Sequence, residues 1–407
     1  MNVGGLRPFP FPYKAMMTIC SDLDETPDSS LYFETARFLN TTQETSAGTG
    51  VGLEIGNTIY FNMPNGQFAY WNTDDHSREQ VRSLIHSGHI DCFHSFGDLA
   101  THRDDARRAL DELADHDCRI ECWVDHAAAK TNFGEDIMRG EGDLRESDAY
   151  HADLTYDYGV RFVWRGRVTS VIGQNRPRSL RGLFSINSPV LSARTIGTEW
   201  AKGLLATAGN RKYSMHAGND AIVPSRLRDG RRVYEFMRCN PFRGGVSGAA
   251  TADGLAEVLT ADFLNRLVER QGVCVLYTHL GKTSQPDSVF PPRTIEAFRT
   301  LSAFSERRDL LVTTTRRLLR YCLATRLVDI RHVHDDQGEA LYLDTSEIRS
   351  QGMPVDVSGI TIYVTDADAV RVIVDGAEVT ELRRNPADES GLQSVSLPWQ
   401  PLSFPDM

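Results

Sequence analysis

HSGHIDCFHSFGD, running from His86 to Asp98, holds three histidines and two carboxylates in thirteen residues beside a short apolar run. Val81, Leu84 and Ile85 ahead of it give the apolar side of a short helix, and Gly88 supplies the stop. Ile90 to Phe93 then read as a brief strand whose carboxyl end presents His94, Ser95 and Asp98. Imidazole and carboxylate are ligand types that suit zinc and similar divalent ions, and one turn can aim both at a single point. Taken alone, a histidine or aspartate after a strand is as often a turn former satisfying backbone groups. Recurrence along the chain weighs against that plainer reading.

Upstream, Ala15 to Cys20 reads as a buried strand that ends in Ser21-Asp22-Leu23-Asp24-Glu25, and a helix follows from about Leu31 to Leu39. Val51–Ile55 and Thr58–Met63 are β-like, and a loop holds Tyr70, Trp71, Asp74, Asp75 and His76. Downstream, Arg103-Asp104-Asp105 opens a helix striped by Ala106, Leu110 and Leu113. Arg119 to Val124 forms the next strand, tipped by Asp125 and His126. Tyr150–Tyr158 is predicted helical, Val160–Trp164 a strand followed by Arg165 and Arg167, and Thr169–Ser192 a loop over the mouth of the fold. Tyr213–His216 and Val233–Met237 read as strands, with His216 and Asp220 as contacts on a loop. An amphipathic helix over Leu255–Val268 leads to the strand Val273–Tyr277, tipped by His279, and the series closes with helix 294–304, strand 310–312 and helix 314–324.

Strand and helix thus alternate about seven times, which predicts an α/β fold and favours a parallel, closed or nearly closed barrel with helices outside, although an open doubly wound sheet would give a similar string. In such barrels the reacting groups sit at the carboxyl ends of different strands. Those ends here carry Asp22 and Asp24, His94 and Asp98, Asp125 and His126, His216, and His279. From Val328 the texture turns to alternating β segments, so residues 1–326 are expected to form the barrel and 327–407 a small β-sandwich.

Composition narrows the partners. A chain of 407 residues with 41% hydrophobic and 24% charged residues can bury a sizeable core. Its formal net charge of −11 argues against a nucleic-acid surface. No apolar run reaches the ~18 residues of a membrane span, and the N-terminal stretch lacks a signal-peptide core, which predicts a cytoplasmic protein. The seven cysteines, odd in number and several inside apolar strands, are expected to be free buried thiols.

Two of these stretches resemble the motifs of the polysaccharide deacetylase family, the one with NodB homology and a distorted (β/α) barrel. Ser21-Asp22-Leu23-Asp24 is similar to that family's opening aspartate pair, with one residue inserted between the two. Gly88-His89-Ile90-Asp91-Cys92-Phe93-His94-Ser95-Phe96-Gly97-Asp98 is similar to its second motif, with Asp98 where the family has a second histidine. Val275-Leu276-Tyr277-Thr278-His279 resembles its late histidine motif, whereas the arginine-proline motif has no clear counterpart and Trp123-Val124-Asp125-His126 stands in its place. The resemblance covers residues 14–325.

It implies one divalent metal ion, zinc first among the choices, held by Asp24, His94 and Asp98. Asp22 would then be the catalytic base and His279 the general acid. Asp125 and His126 would stand at the ion or just behind its ligands, and Trp71, Arg165 and His216 would face the substrate. The implied activity is metal-dependent removal of an acetyl group from an N-acetylated sugar or glycan. Another amide or glycoside hydrolase on the same barrel, or a degenerate carbohydrate-binding protein, would carry similar residues; metal content and acetate release separate the three.

Overall fold

The computed structural model describes residues 3–184, 186, 188–242, 250–285, 288–335 and 338–407. Its first strand, β1 (Ala15–Asp22), is buried along all eight residues, as befits a central parallel strand covered on both faces. Helix α1 (Ser29–Asn40) follows, its amino end capped by Asp28, whose carboxylate accepts from the Leu31 amide. A small hairpin of β2 (Glu44–Thr45) and β3 (Gly48–Thr49) precedes β4 (Asn57–Ile59).

Helix α2 (Asp75–Ser87) begins earlier than the apolar stripe suggested, because Asp74 caps it, and it ends at Gly88 in the left-handed conformation (φ 85°). Then come β5 (Ile90–His94), α3 (Arg103–Asp115), β6 (Cys122–Val124), α4 (Ala152–Tyr158) and β7 (Phe162–Trp164), the expected alternation. Gly166, at φ 89°, breaks the line between β7 and β8 (Val168–Thr169). A side chain there would run into Ile137.

The next stretch departs from expectation. Within the predicted loop Thr169–Ser192, residues 181–183 form a 3-10 turn and helix α5 (Pro189–Thr207) begins; Ser185 and Asn187 lie outside the described residues. The predicted strand Tyr213–His216 is instead the end of a 3-10 turn and the start of α6 (Met215–Gly218). Then follow β9 (Ile222–Arg226), β10 (Arg232–Phe236) and β11 (Arg238–Cys239), with Met237 alone between the last two. The single amphipathic helix expected over Leu255–Val268 is two, α7 (Ala252–Leu255) and α8 (Ala261–Glu269), each started by a threonine cap. The series ends with β12 (Val273–His279), α9 (Pro292–Glu306), β13 (Leu310–Val312) and α10 (Thr315–Leu327).

These strands make a curled half-barrel, one sheet of eleven strands among the described residues, more than the seven expected. Its order is β8-β11-β12-β1-β4-β5-β6-β7-β10-β9, with β13 beside the start of β1. All pairings are parallel except β9 with β10. Every parallel strand therefore ends on the same rim. All seven cysteines are buried free thiols, as expected.

Beyond Val328 lie two small sheets: β14 (Asp329–Asp335), β15 (Gly338–Asp344), β17 (Arg371–Val374) and β18 (Ala377–Glu378) in one, β16 (Thr361–Val364), β20 (Gln393–Ser396) and β19 (Arg383–Asn385) in the other. One helical turn, α11 (Ser346–Ser350), interrupts a region that reads as purely β. The Gly4 amide donates to the Tyr363 carbonyl and Leu6 bridges Ile362, so the amino-terminal segment lies against β16. Leu341, Val364 and Val395 share one apolar cluster with Phe162, Phe236 and Leu318 of the half-barrel.

Candidate metal centre

Register brings the polar residues together. β1 and β12 pair so that Asp22 stands beside His279, and β5 and β6 pair so that His94 stands beside Val124, two residues before His126. Asp24 lies one turn past β1, and His126 lies past β6 where Ala127 takes a left-handed conformation (φ 41°). All of these line a cleft of about 450 Å³ on the carboxyl rim, together with Asp98, Gln67, Tyr277 and Lys282.

Three ligand atoms converge in that cleft. His126 Nδ1 lies 3.1 Å from Asp24 Oδ1 and 3.3 Å from His94 Nε2, which is itself 3.7 Å from Asp24 Oδ1. The outer nitrogens of the two rings are occupied. His94 Nδ1 donates to the Val124 carbonyl at 3.3 Å, and His126 Nε2 lies 3.1 Å from Asp98 Oδ1. With their protons on those outer atoms, both imidazoles turn lone pairs toward the Asp24 carboxylate. Three acceptors facing one point could hold a cation between them, and one carboxylate with two imidazoles suits a divalent ion with an open position. Burial alone would favour the neutral acid at Asp24, yet the surrounding rings of His126, His279 and His94, when protonated, outweigh it and hold the carboxyl well below the usual range.

A second trio, Asp22, Asp24 and His279, is as close, but it already has its cation. Arg238 of β11, fully buried, donates from Nη1 to Asp22 Oδ2 at 2.8 Å and sets Nη2 2.8 Å from Oδ1. Its guanidinium lies over Trp164 and Tyr277, with the Trp164 centroid 4.1 Å away. Burial works to raise the Asp22 pKa, and Arg238, with His94 and His279, carries it below the ordinary value. An ion in this trio would crowd the arginine. His279 Nδ1 donates to the Ala250 carbonyl at 2.5 Å, so Nε2, 2.8 Å from Asp24 Oδ2 and 3.7 Å from Asp22 Oδ2, can donate only as imidazolium.

The remaining expected residues fall in different places. Asp98 reaches the outer nitrogen of His126, not the point where the three ligand atoms meet. Asp125, next to His126, is fully buried; burial pushes its carboxyl up to about 7 although the Phe133 amide and Trp123 indole donate to Oδ1. Arg165 is tied to Glu235 at 2.6 Å and to Ser225, behind the cleft. Trp71 packs against Phe61 and Tyr70 beneath the Arg108 guanidinium, and His216 of α6 sits 3.8 Å from Glu199 of α5. Among the described residues, none of these last three lines the cleft.

Arg238 and Tyr60 are among the residues at the site that escaped the sequence reading, as did Lys282, whose Nζ lies 3.7 Å from Asp24 Oδ2. Arg238 sits on a two-residue strand far from any motif. Tyr60, just after β4, stacks on the His94 ring at 4.8 Å, donates its hydroxyl to Asp24 Oδ1 and lies 2.8 Å from His126 Nδ1. Its neighbours Ile59 and Phe61 are also buried, so in sequence Tyr60 reads as one more core aromatic. Compared with protein families, with curated proteins and with solved structures, the chain gives no match, and its functional reading rests on the geometry of these side chains.

Proposed function

We propose that this chain is a metal-dependent hydrolase of the polysaccharide deacetylase kind, removing an acetyl group from an N-acetylated sugar or glycan. The observation that carries the reading is the convergence of Asp24, His94 and His126, flanked on one side by Asp22 and His279. Those flanking groups are the base and acid that hydrolysis of an amide needs.

Asp24, His94 and His126 would hold the ion, with zinc favoured by the donor set. When bound it supplies a Lewis acid that polarises a carbonyl and acidifies water. Asp22, kept ionised by Arg238, accepts the proton of the attacking water. His279, as imidazolium, gives a proton to the departing amine. Asp98 fixes the ring of His126, and the Tyr60 hydroxyl orients Asp24. This ligand set differs from the family's pattern: the second imidazole comes from after β6, and Asp98 supports it.

The test joins two measurements. Elemental analysis should find close to one divalent ion per chain, and N-acetylated sugars and oligosaccharides should release acetate with wild type but not with Asp22→Asn. A metal-free chain that zinc, cobalt and manganese fail to stabilise would remove the mechanism; metal without acetate release would move the reading to another hydrolase.

A further inference from the structure

Helix α5 is inside out. Its inward positions are Ser192, Thr195, Glu199, Gly203 and Ala206, small or polar residues. Glu199, 1% exposed, fastens that face to the sheet: it accepts from the Thr169 hydroxyl and the Ser170 amide at 3.1 Å each, and Lys202 lies 2.8 Å from it. Lys202 also donates to the Val168 carbonyl at 2.9 Å. The outward positions are apolar: Val190 is 80% exposed and Trp200 59%, with Leu191, Leu204 and Leu205 exposed beside them. Phe184 and Ile186, just before the helix, are exposed as well. A helix on a globular protein normally turns its apolar stripe to the core. A contiguous apolar face turned to water marks a contact surface.

Charge says what kind. Between Arg176 and Lys212 the chain has seven basic residues and one acid, Glu199, in a protein of formal net charge −11. Arg181, Arg194 and Arg211 of this segment are exposed. Two copies docking through the same face would bring like charges together. A single convex helix with tryptophan and leucines outward and a basic rim has the profile of a helix lying in the interface of an anionic bilayer. Among the described residues no helix is long and apolar enough to cross a membrane.

We propose that the outer face of α5, with Phe184 and Ile186 at its entry, docks the protein peripherally on an anionic lipid surface. The helix is fastened to β8, which pairs with β11, the strand of Arg238. Docking there holds the rim of the half-barrel near lipid. The inference stands on α5 and its charges alone, independent of the reading of the cleft.

Flotation of the full chain with phosphatidylcholine vesicles, with and without phosphatidylglycerol, tests it. Wild type should bind only the anionic vesicles, and added salt should weaken binding. Trp200→Ser with Leu204→Ser should lower partitioning at least about tenfold, and Arg181→Glu with Arg194→Glu should remove the preference for anionic lipid. Both pairs are exposed, so melting temperature should stay unchanged. Absence of vesicle binding at low salt, or binding that both variants retain, overturns the proposal. So does a dimer in sedimentation that Trp200→Ser with Leu204→Ser dissociates while vesicles are ignored, which would give the face to a second copy.

Discussion

The carboxylate of Asp98 lies 3.1 Å from the outer nitrogen of His126, the imidazole whose inner nitrogen faces Asp24. Removing a supporting carboxylate of this kind typically weakens metal affinity about 10–100-fold. Asp98→Asn should therefore bind zinc within that range of weakening, whereas His126→Ala and His94→Ala should abolish high-affinity binding. Calorimetric titration of the stripped proteins ranks them. Equal affinity in His126→Ala and wild type, with loss in Asp98→Ala, would return the third ligand to Asp98.

Asp22 and Arg238 form a buried ion pair. Asp22→Asn keeps the metal ligands and should retain metal while losing turnover. Arg238→Met strands a buried carboxylate, and breaking such pairs costs about 3–5 kcal/mol. Asp22→Asn leaves the buried Arg238 guanidinium without its counter-charge, so urea unfolding should show a loss in both variants.

Tyr60→Phe removes one hydroxyl and leaves the ring stacked on His94. Metal affinity should fall about tenfold, as for other groups that orient a ligand, with little change in melting temperature. An unchanged affinity would reduce Tyr60 to packing.

Acid should destabilise the fold through histidines buried away from the cleft. Burial holds His89 and His151 down to about 4, with Arg317 adding to the effect at His89. Unfolded, each takes up a proton near ~6.5, so the stability they confer is complete above that value and is lost as pH falls toward about 4. Each contributes up to about 3 kcal/mol over that interval. Unfolding free energy measured from pH 7 to 4.5 should decline less steeply in His151→Gln than in wild type; parallel slopes would reject His151 as a source.

Much of the rim was legible because strand ends and helix starts follow local rules. Asp22, Asp24, His94, Asp125, His126 and His279 stand where apolar runs stop, and parallel pairing sets those stops on one edge. Which of them meet was not legible: the choice of His126 over Asp98 depends on a left-handed residue at Ala127 and on ring orientation. Arg238 and Tyr60 were invisible because a buried cation and a core aromatic reveal their partners only in three dimensions. Only the start of α5 fell within the expected loop Thr169–Ser192 and the rest of it carried no expectation, because its periodicity is inverted, with Ser192, Thr195 and Glu199 inside. The strand expected at 213–216 failed on a short apolar run that a helix turn accommodates as well.

The contact of Gly4 and Leu6 with Tyr363 and Ile362 also sets an order of events in the cell. At ~5–20 residues per second, a ribosome needs tens of seconds to travel from one partner to the other. Through that interval the segment around Leu6 has no strand to join, while the half-barrel between them can already assemble. The sheet holding β16 closes last, as a clasp fastened once translation has delivered both of its sides.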